Sequence, residues 1–227
     1  MAGYLTCVFV YEMGECENEA SGDTMVNSLA FSLVTIHFVM VIYSLSLFTL
    51  SSLYKIQEKI EERQRKEDFS VEDAQKSLME FKTFEHAFGP MYLMMFGYSQ
   101  ILWIYHLFSF FSSLLSIPSR HLFFGSFSAA NLLVSISSFL DVALVAFRSH
   151  EVHRSLRKSI GLLNQLEKQT NIREEILDIC HIREEIRFTG PLTALEIFNV
   201  NRGIVLRMLA VGLTYTFVLL KFKTGEN

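Results

Sequence analysis

The chain has 227 residues, 50% of them hydrophobic and only 19% charged, with 21 Phe and a net charge of −4. The charged share lies below that of soluble domains, and a mildly acidic chain has no bulk attraction for nucleic acid. Three Cys are too few for a disulfide framework, and no Gly-rich nucleotide loop, GxSxG or HExxH appears, so the sequence points away from an enzyme, a cofactor or a catalytic metal.

In chain order, residues 1–28 form an acidic leading segment with Glu12, Glu15, Glu17, Glu19 and Asp23 and no Lys or Arg. Its first stretch, Met1 to Tyr11, lacks the basic start of a signal peptide. Four apolar blocks follow, at 29–54, 88–117, 122–147 and 203–222. Each meets the roughly 20 residues that a helix needs to cross a ~30 Å bilayer core. Each is also apolar on all sides, as lipid or a bundle interior requires.

Between the first two blocks, residues 55–87 are rich in Glu, Lys, Arg and Gln, which favour helix. Ile56, Ile60, Leu78, Phe81 and Phe84 give that segment an apolar face. Residues 118–121 make a short loop. Residues 148–202 repeat the amphipathic pattern, with Val152, Leu156, Ile160, Leu163 and Leu166, then Ile172, Ile176, Ile179 and Ile182. The Gln169-Thr170-Asn171 break predicts two helices there, with Asn171 capping the second and Glu174 completing the box. Residues 223–227 form a tail. The expected fold is all-α, a polytopic helical membrane protein with four spans and long cytoplasmic helical extensions.

Charge gives the direction. Lys and Arg crowd the segments after the first and third blocks, including Arg148, Arg154, Arg157, Lys158, Arg183 and Arg187. Basic loops stay in the cytoplasm. Both termini of this chain are therefore expected outside, with both long loops inside. Asp141 and Arg207 lie within blocks at comparable depth, and charges placed so are usually paired; they are expected to form an interhelical pair. Trp103 falls mid-block, which suits packing. His150, Glu151, His153, Cys180 and His181 lack the second spaced pair of a metal site, so a metal is not expected. Cys7 and Cys16 face an oxidising side and can pair, whereas Cys180 is expected as a free thiol.

Three patches carry a resemblance. They are Phe84 to Phe108 (FEHAFGPMYLMMFGYSQILWIYHLF), Phe188 to Val205 (FTGPLTALEIFNVNRGIV), and the ending from Thr214-Tyr215 to Phe222. Together they resemble the invertebrate gustatory receptors, whose last helix ends in Thr-Tyr, five hydrophobic residues and Gln-Phe. The chain looks like the last four of that family's seven spans, and so like a shortened form. Two positions depart: Glu196 stands where the family often has Gly, and Lys221 where it has Gln.

The resemblance implies a plasma-membrane taste receptor, a subunit of a ligand-gated, non-selective cation channel assembled as a homo- or hetero-tetramer. The cytoplasmic helices would anchor the subunits, and 203–222 would line the pore. Thr214, Tyr215, Lys221 and Phe222 are the signature residues. Lys221 is either a pore-facing cation near the outer mouth or an interfacial cation that fixes the helix end. Tyr215 is expected to pack inside the bundle. A small organic ligand would meet Phe31, Thr35, His37 and Phe38 on the first span, Phe108 with Phe111 on the second, and Phe124, Phe127 and Ser128 on the third. The other readings are a non-conducting membrane assembly or regulatory subunit and an odorant-receptor-like protein.

Overall fold

The computed structural model describes residues 22–116 and 122–225, with most side chains described from 39 onward. Five helices account for nearly all of it: α1 (Gly22–Gln64), α2 (Val71–Ser116), α3 (Leu122–Gln169), α4 (Arg173–Phe188) and α5 (Arg202–Thr224). Between α4 and α5 lie two short antiparallel strands, β1 (Thr193–Ala194) and β2 (Phe198–Asn199), paired Thr193 to Asn199 and Ala194 to Phe198. The protein is thus predominantly α-helical. Among the described residues two helical stretches, Val39–Gln64 and Arg202–Lys223, are long and apolar enough to cross a membrane. The block from 88 holds Tyr92, Tyr98, Gln100, Tyr105 and His106, whose polar groups dilute its apolar character.

The helices form two compact units. One gathers the described residues within Met1–Leu45, Gly97–Asp141 and Met208–Asn227; the other gathers Ser46–Phe96 and Val142–Arg207. Here they are called the first and second unit.

The stretch 55–87 is not the single helix that its composition suggested. α1 ends at Gln64 and α2 begins at Val71. The turn is written in a capping box: the Asp73 amide donates to Ser70 Oγ at 3.2 Å, and Asp73 Oδ2 accepts from the Ser70 amide at 3.4 Å. Lys66 closes the turn onto Asp73 at 3.0 Å. The predicted break at 169–171 is present, but the cap position of α4 is Ile172, and no side chain caps it. Asn171 lies one residue too early for that role. The hairpin at 193–199 was also not anticipated within 148–202; two-residue strands are too short to show alternation.

In the second unit the core is built from Leu53 and Ile60 of α1, Leu78, Phe81 and Tyr92 of α2, and Val145, Val152, Leu156 and Leu163 of α3, all buried. Ile179, Ile182 and Ile186 of α4 close it. Polar long-range bonds fix the register. Gln64 Nε2 donates to Ser155 O and to Ser159 Oγ, each at 2.7 Å, and Ser155 Oγ donates to Glu61 at 3.1 Å.

In the first unit, Trp103 of α2 is buried against Phe139 of α3, ring centroids 5.1 Å apart. Ser99 Oγ donates to Ser138 O at 3.0 Å, and Gln100 Nε2 donates to Met208 O at 3.3 Å. Gly212 of α5 lies directly against the Trp103 indole, where any added methyl group would overlap the ring. Small residues permit such close helix approach. Gly212→Ala is expected to destabilise by about 1–3 kcal/mol through overpacking, read as a lowered melting temperature in detergent. Trp103→Leu in the same chain should recover part of that loss by making room.

Candidate functional site

The second unit carries the most organised arrangement. Tyr54 is the last residue before α1 turns from apolar to charged, and the Arg148 guanidinium lies 3.4 Å over its ring centroid. Phe147, the last apolar residue before the basic stretch of α3, carries Arg202 at 5.5 Å. Arg202 also pairs with Glu151 at 2.5 Å, and it begins the apolar α5. From α2, Tyr92 is buried with its hydroxyl 3.5 Å from Ser149 Oγ. The polar-to-apolar transitions of α1, α3 and α5 therefore meet at one level. Each cation–π contact contributes about 0.5–2 kcal/mol depending on its exposure. The pairing of Tyr54 with Arg148 has no local signal, since the two residues are 94 positions apart.

Below that level sits the hairpin. Glu85 Oε1 accepts from the Thr193 amide at 3.0 Å and from Thr193 Oγ1 at 2.7 Å. Val200 N donates to Leu192 O at 2.6 Å, which closes the loop that feeds α5. The turn places Leu195 at φ 50° and Glu196 at φ 60°, a left-handed conformation that costs a side-chain-bearing residue roughly 1–2 kcal/mol. This explains why Gly would suit the Glu196 position. Gly89 lies under the turn, and a methyl group there would sit 3.2 Å from Leu195 N.

Two clefts flank the hairpin. One, about 530 Å³, is lined by Lys82, Glu85, His181, Glu185 and Phe188, among others; the second, about 420 Å³, by His86, Gly89, Pro191 and Leu195 with Lys82 and Glu85. Lys82 bridges to Glu185 at 2.5 Å. Two of the groups weighed as metal ligands, Glu151 and Cys180, have Arg neighbours instead. Glu151 binds Arg202, Cys180 is a free thiol whose Sγ lies 3.4 Å from Arg183 Nη2, and Arg183 holds Glu167. Among the described residues no group of three or more His, Cys, Asp or Glu gathers to hold a metal.

His153 is buried, packs against Phe81 with centroids 6.1 Å apart, and donates through Nε2 to Thr189 O at 3.2 Å. Burial holds the ring below its ordinary 6.5, with Arg157 and His150 adding to that effect and the Thr189 hydrogen bond and Glu85 opposing it. At the α1–α2 turn, burial raises the Asp73 carboxyl, but the bonds from Lys66 and Ser70 outweigh it and leave the group below its ordinary value.

On α5, Thr214 is exposed and its Oγ1 donates to Ala210 O at 2.8 Å. Among the described residues Tyr215 is 57% exposed rather than packed inside a bundle, whereas its neighbour Thr216 is buried. Lys221 is exposed, as is Phe222 at 78%. Of the expected ligand-binding residues, His37 is exposed and Phe108 half-buried, both in the first unit. Neither lines the two clefts. The side chains of Phe31, Thr35, Phe38, Phe124, Phe127 and Ser128 lie outside the described residues, as do Cys7, Cys16 and 118–121. Asp141 belongs to the first unit and Arg207 to the second.

No protein-family model matches the chain, and no curated protein matches it.

Because folding lowers the proton affinity of His153, the unfolded chain binds the proton more tightly. Stability from this residue is full above the ordinary value of 6.5 and falls as pH drops below it. Protection factors of the amides around 186–194, taken relative to intrinsic exchange, are expected to fall as pH drops from about 7.5 to about 5.5. In His153→Gln that fall should be smaller.

Proposed function

We propose that the chain is a four-span, multi-pass plasma-membrane protein with both of its termini outside, and a gustatory-receptor-like subunit of a ligand-gated cation channel. The observation that carries the membrane part is the common level at which α1, α3 and α5 change from charged to apolar, marked by Tyr54, Arg148, Phe147 and Arg202. Aromatics with basic residues beside them are the usual markers of a bilayer boundary. The basic stretches after Tyr54 and Phe147 put that level on the cytoplasmic side. The 23 residues of α5 span about 35 Å of helix rise, enough to cross.

The chemosensory part rests on the resemblance of the three patches, and on the order of elements, a helical layer followed by a last apolar helix with a Thr-Tyr ending. In this reading small organic tastants bind among outer aromatic side chains such as Phe108, the second unit holds subunits of a homo- or hetero-tetramer together, and the outer half of α5 faces the pore.

A second reading, a non-conducting assembly or regulatory subunit, is favoured by Lys221. Four ammonium groups around a narrow path would repel cations and favour anions.

A glycan acceptor inserted after Lys223 should be modified, and one inserted at 66–69 should not; the reverse result overturns the orientation. For the channel, recordings from cells expressing the chain with related receptor subunits, challenged with a tastant panel, are the direct test. Lys221→Gln is expected to raise cation current several-fold and to move the reversal potential toward that of cations. Unchanged conductance and selectivity would remove Lys221 from the pore.

A further inference from the structure

We propose that the Arg148–Arg202 level of the second unit binds the phosphate of an anionic phospholipid headgroup. The proposal rests on the membrane-spanning part of the reading above. Two guanidiniums there, Arg154 and Arg202, share the Glu151 carboxylate, and a third, Arg148, has none. Glu151 takes Arg202 at 2.5 Å and reaches Arg154 only at 4.0 Å. Arg148 has no ion pair among the described residues, and its Nε is buried without a hydrogen-bond acceptor. With Glu151 the one carboxylate that ion-pairs in this group, the guanidiniums leave a basic excess that a zwitterionic headgroup does not neutralise and an anionic one does.

The geometry suits an oxyanion. The Arg148 guanidinium carbon lies 3.4 Å from the Tyr54 ring centroid, and that of Arg202 lies 5.5 Å from the Phe147 centroid. The cation–π contact engages the π face of a guanidinium; Arg148, which makes no ion pair among the described residues, keeps its terminal Nη donors for a phosphate, while Arg202 already gives Nη2 to Glu151 and offers only its remaining donors. The rings also fix the guanidiniums in place, so little side-chain freedom is lost on binding. Tyr54 is 57% exposed and Phe147 is 44% exposed. Both rings stand at the start of apolar helix surface, where acyl chains would continue from the headgroup. A soluble anion would gain nothing from those exposed rings; a lipid gains contact with both.

The test uses the full chain in neutral detergent, with melting followed as phosphatidylglycerol or phosphatidylcholine is added, and lipid retention counted by native mass spectrometry. Phosphatidylglycerol is expected to raise the melting temperature by several degrees and to be retained, while phosphatidylcholine does neither. Arg148→Gln with Arg202→Gln should weaken phosphatidylglycerol binding roughly tenfold. Arg148→Lys with Arg202→Lys, which keeps charge but loses the planar fork, should retain an intermediate preference and reports on the site should the Gln pair not fold. Equal binding of the two lipids, or a preference that survives both double variants unchanged, overturns the proposal. A full effect from inorganic phosphate at millimolar concentration overturns the lipid assignment in favour of a free anion. A chain that resists carbonate extraction from membranes but shows no lipid preference sinks this inference alone. Release by carbonate sinks the membrane reading with it.

Discussion

The guanidinium of Arg148 on the ring of Tyr54 sets the frame for the second unit. One residue of slip between α1 and α3 would shift the contact by about 1.5 Å along the axis and 100° around it, and would take the cation off the ring. The apolar side chains nearby tolerate small shifts, because hydrophobic contact is non-directional. A cation over an aromatic face does not. Arg202 extends the constraint to α5 through Phe147 and Glu151. Three helices that are remote in sequence are thereby held with their charged and apolar parts at matching heights.

That frame explains why the layer below is polar at its seams. Gln64, Glu61, Ser155 and Ser159 bond across α1 and α3, helices that also bury Ile60, Leu156 and Leu163. Inside such a layer a satisfied polar bond fixes register, whereas a missing partner is costly. The hairpin is the weak point by design of its sequence. Leu195 and Glu196 hold left-handed backbone without Gly, and Glu85 keeps the strand against α2 by taking both donors of Thr193. Strain of this kind persists only where the surroundings over-determine it. Here the surroundings are Gly89, whose missing side chain makes room, and the Leu192–Val200 bond that leads into α5.

α5 buries one stripe, Val205, Met208, Gly212, Thr216 and Leu220, half-buries Ile204 and Leu209, and exposes most of its other described residues. Leu206, Leu213, Tyr215, Phe217 and Phe222 lie on the exposed faces. A helix so apolar and so little covered by its own chain asks for lipid or a neighbouring subunit, and it is the physical basis of the membrane proposal. Thr214 and Lys221, seven residues apart, lie on one side of that uncovered surface by helical periodicity. The exposure of Tyr215 belongs to the same pattern: a Thr-Tyr signature predicts an amphipathic contact, and only the helix rotation decides whether the partner is in the same chain.

Sequence by itself determined the helical class, the apolar blocks, the break near 170 and the mid-block packing of Trp103. All of these depend on local composition and on a period of 3.6, which any window of the chain contains. It misjudged 55–87, because Glu- and Lys-rich residues favour helix at every position and the Ser70–Asp73 box is a short signal within them. It placed the α4 cap on Asn171 because cap rules do not fix the last residue of a loop. Only the tertiary structure decided that Tyr54 meets Arg148, that Glu85 clamps Thr193, that Gly212 admits the Trp103 ring and that His153 reaches Thr189. Each of these joins residues from 36 to 109 positions apart. Their partners are chosen by the rotation and height of packed helices, a relation that no local pattern encodes.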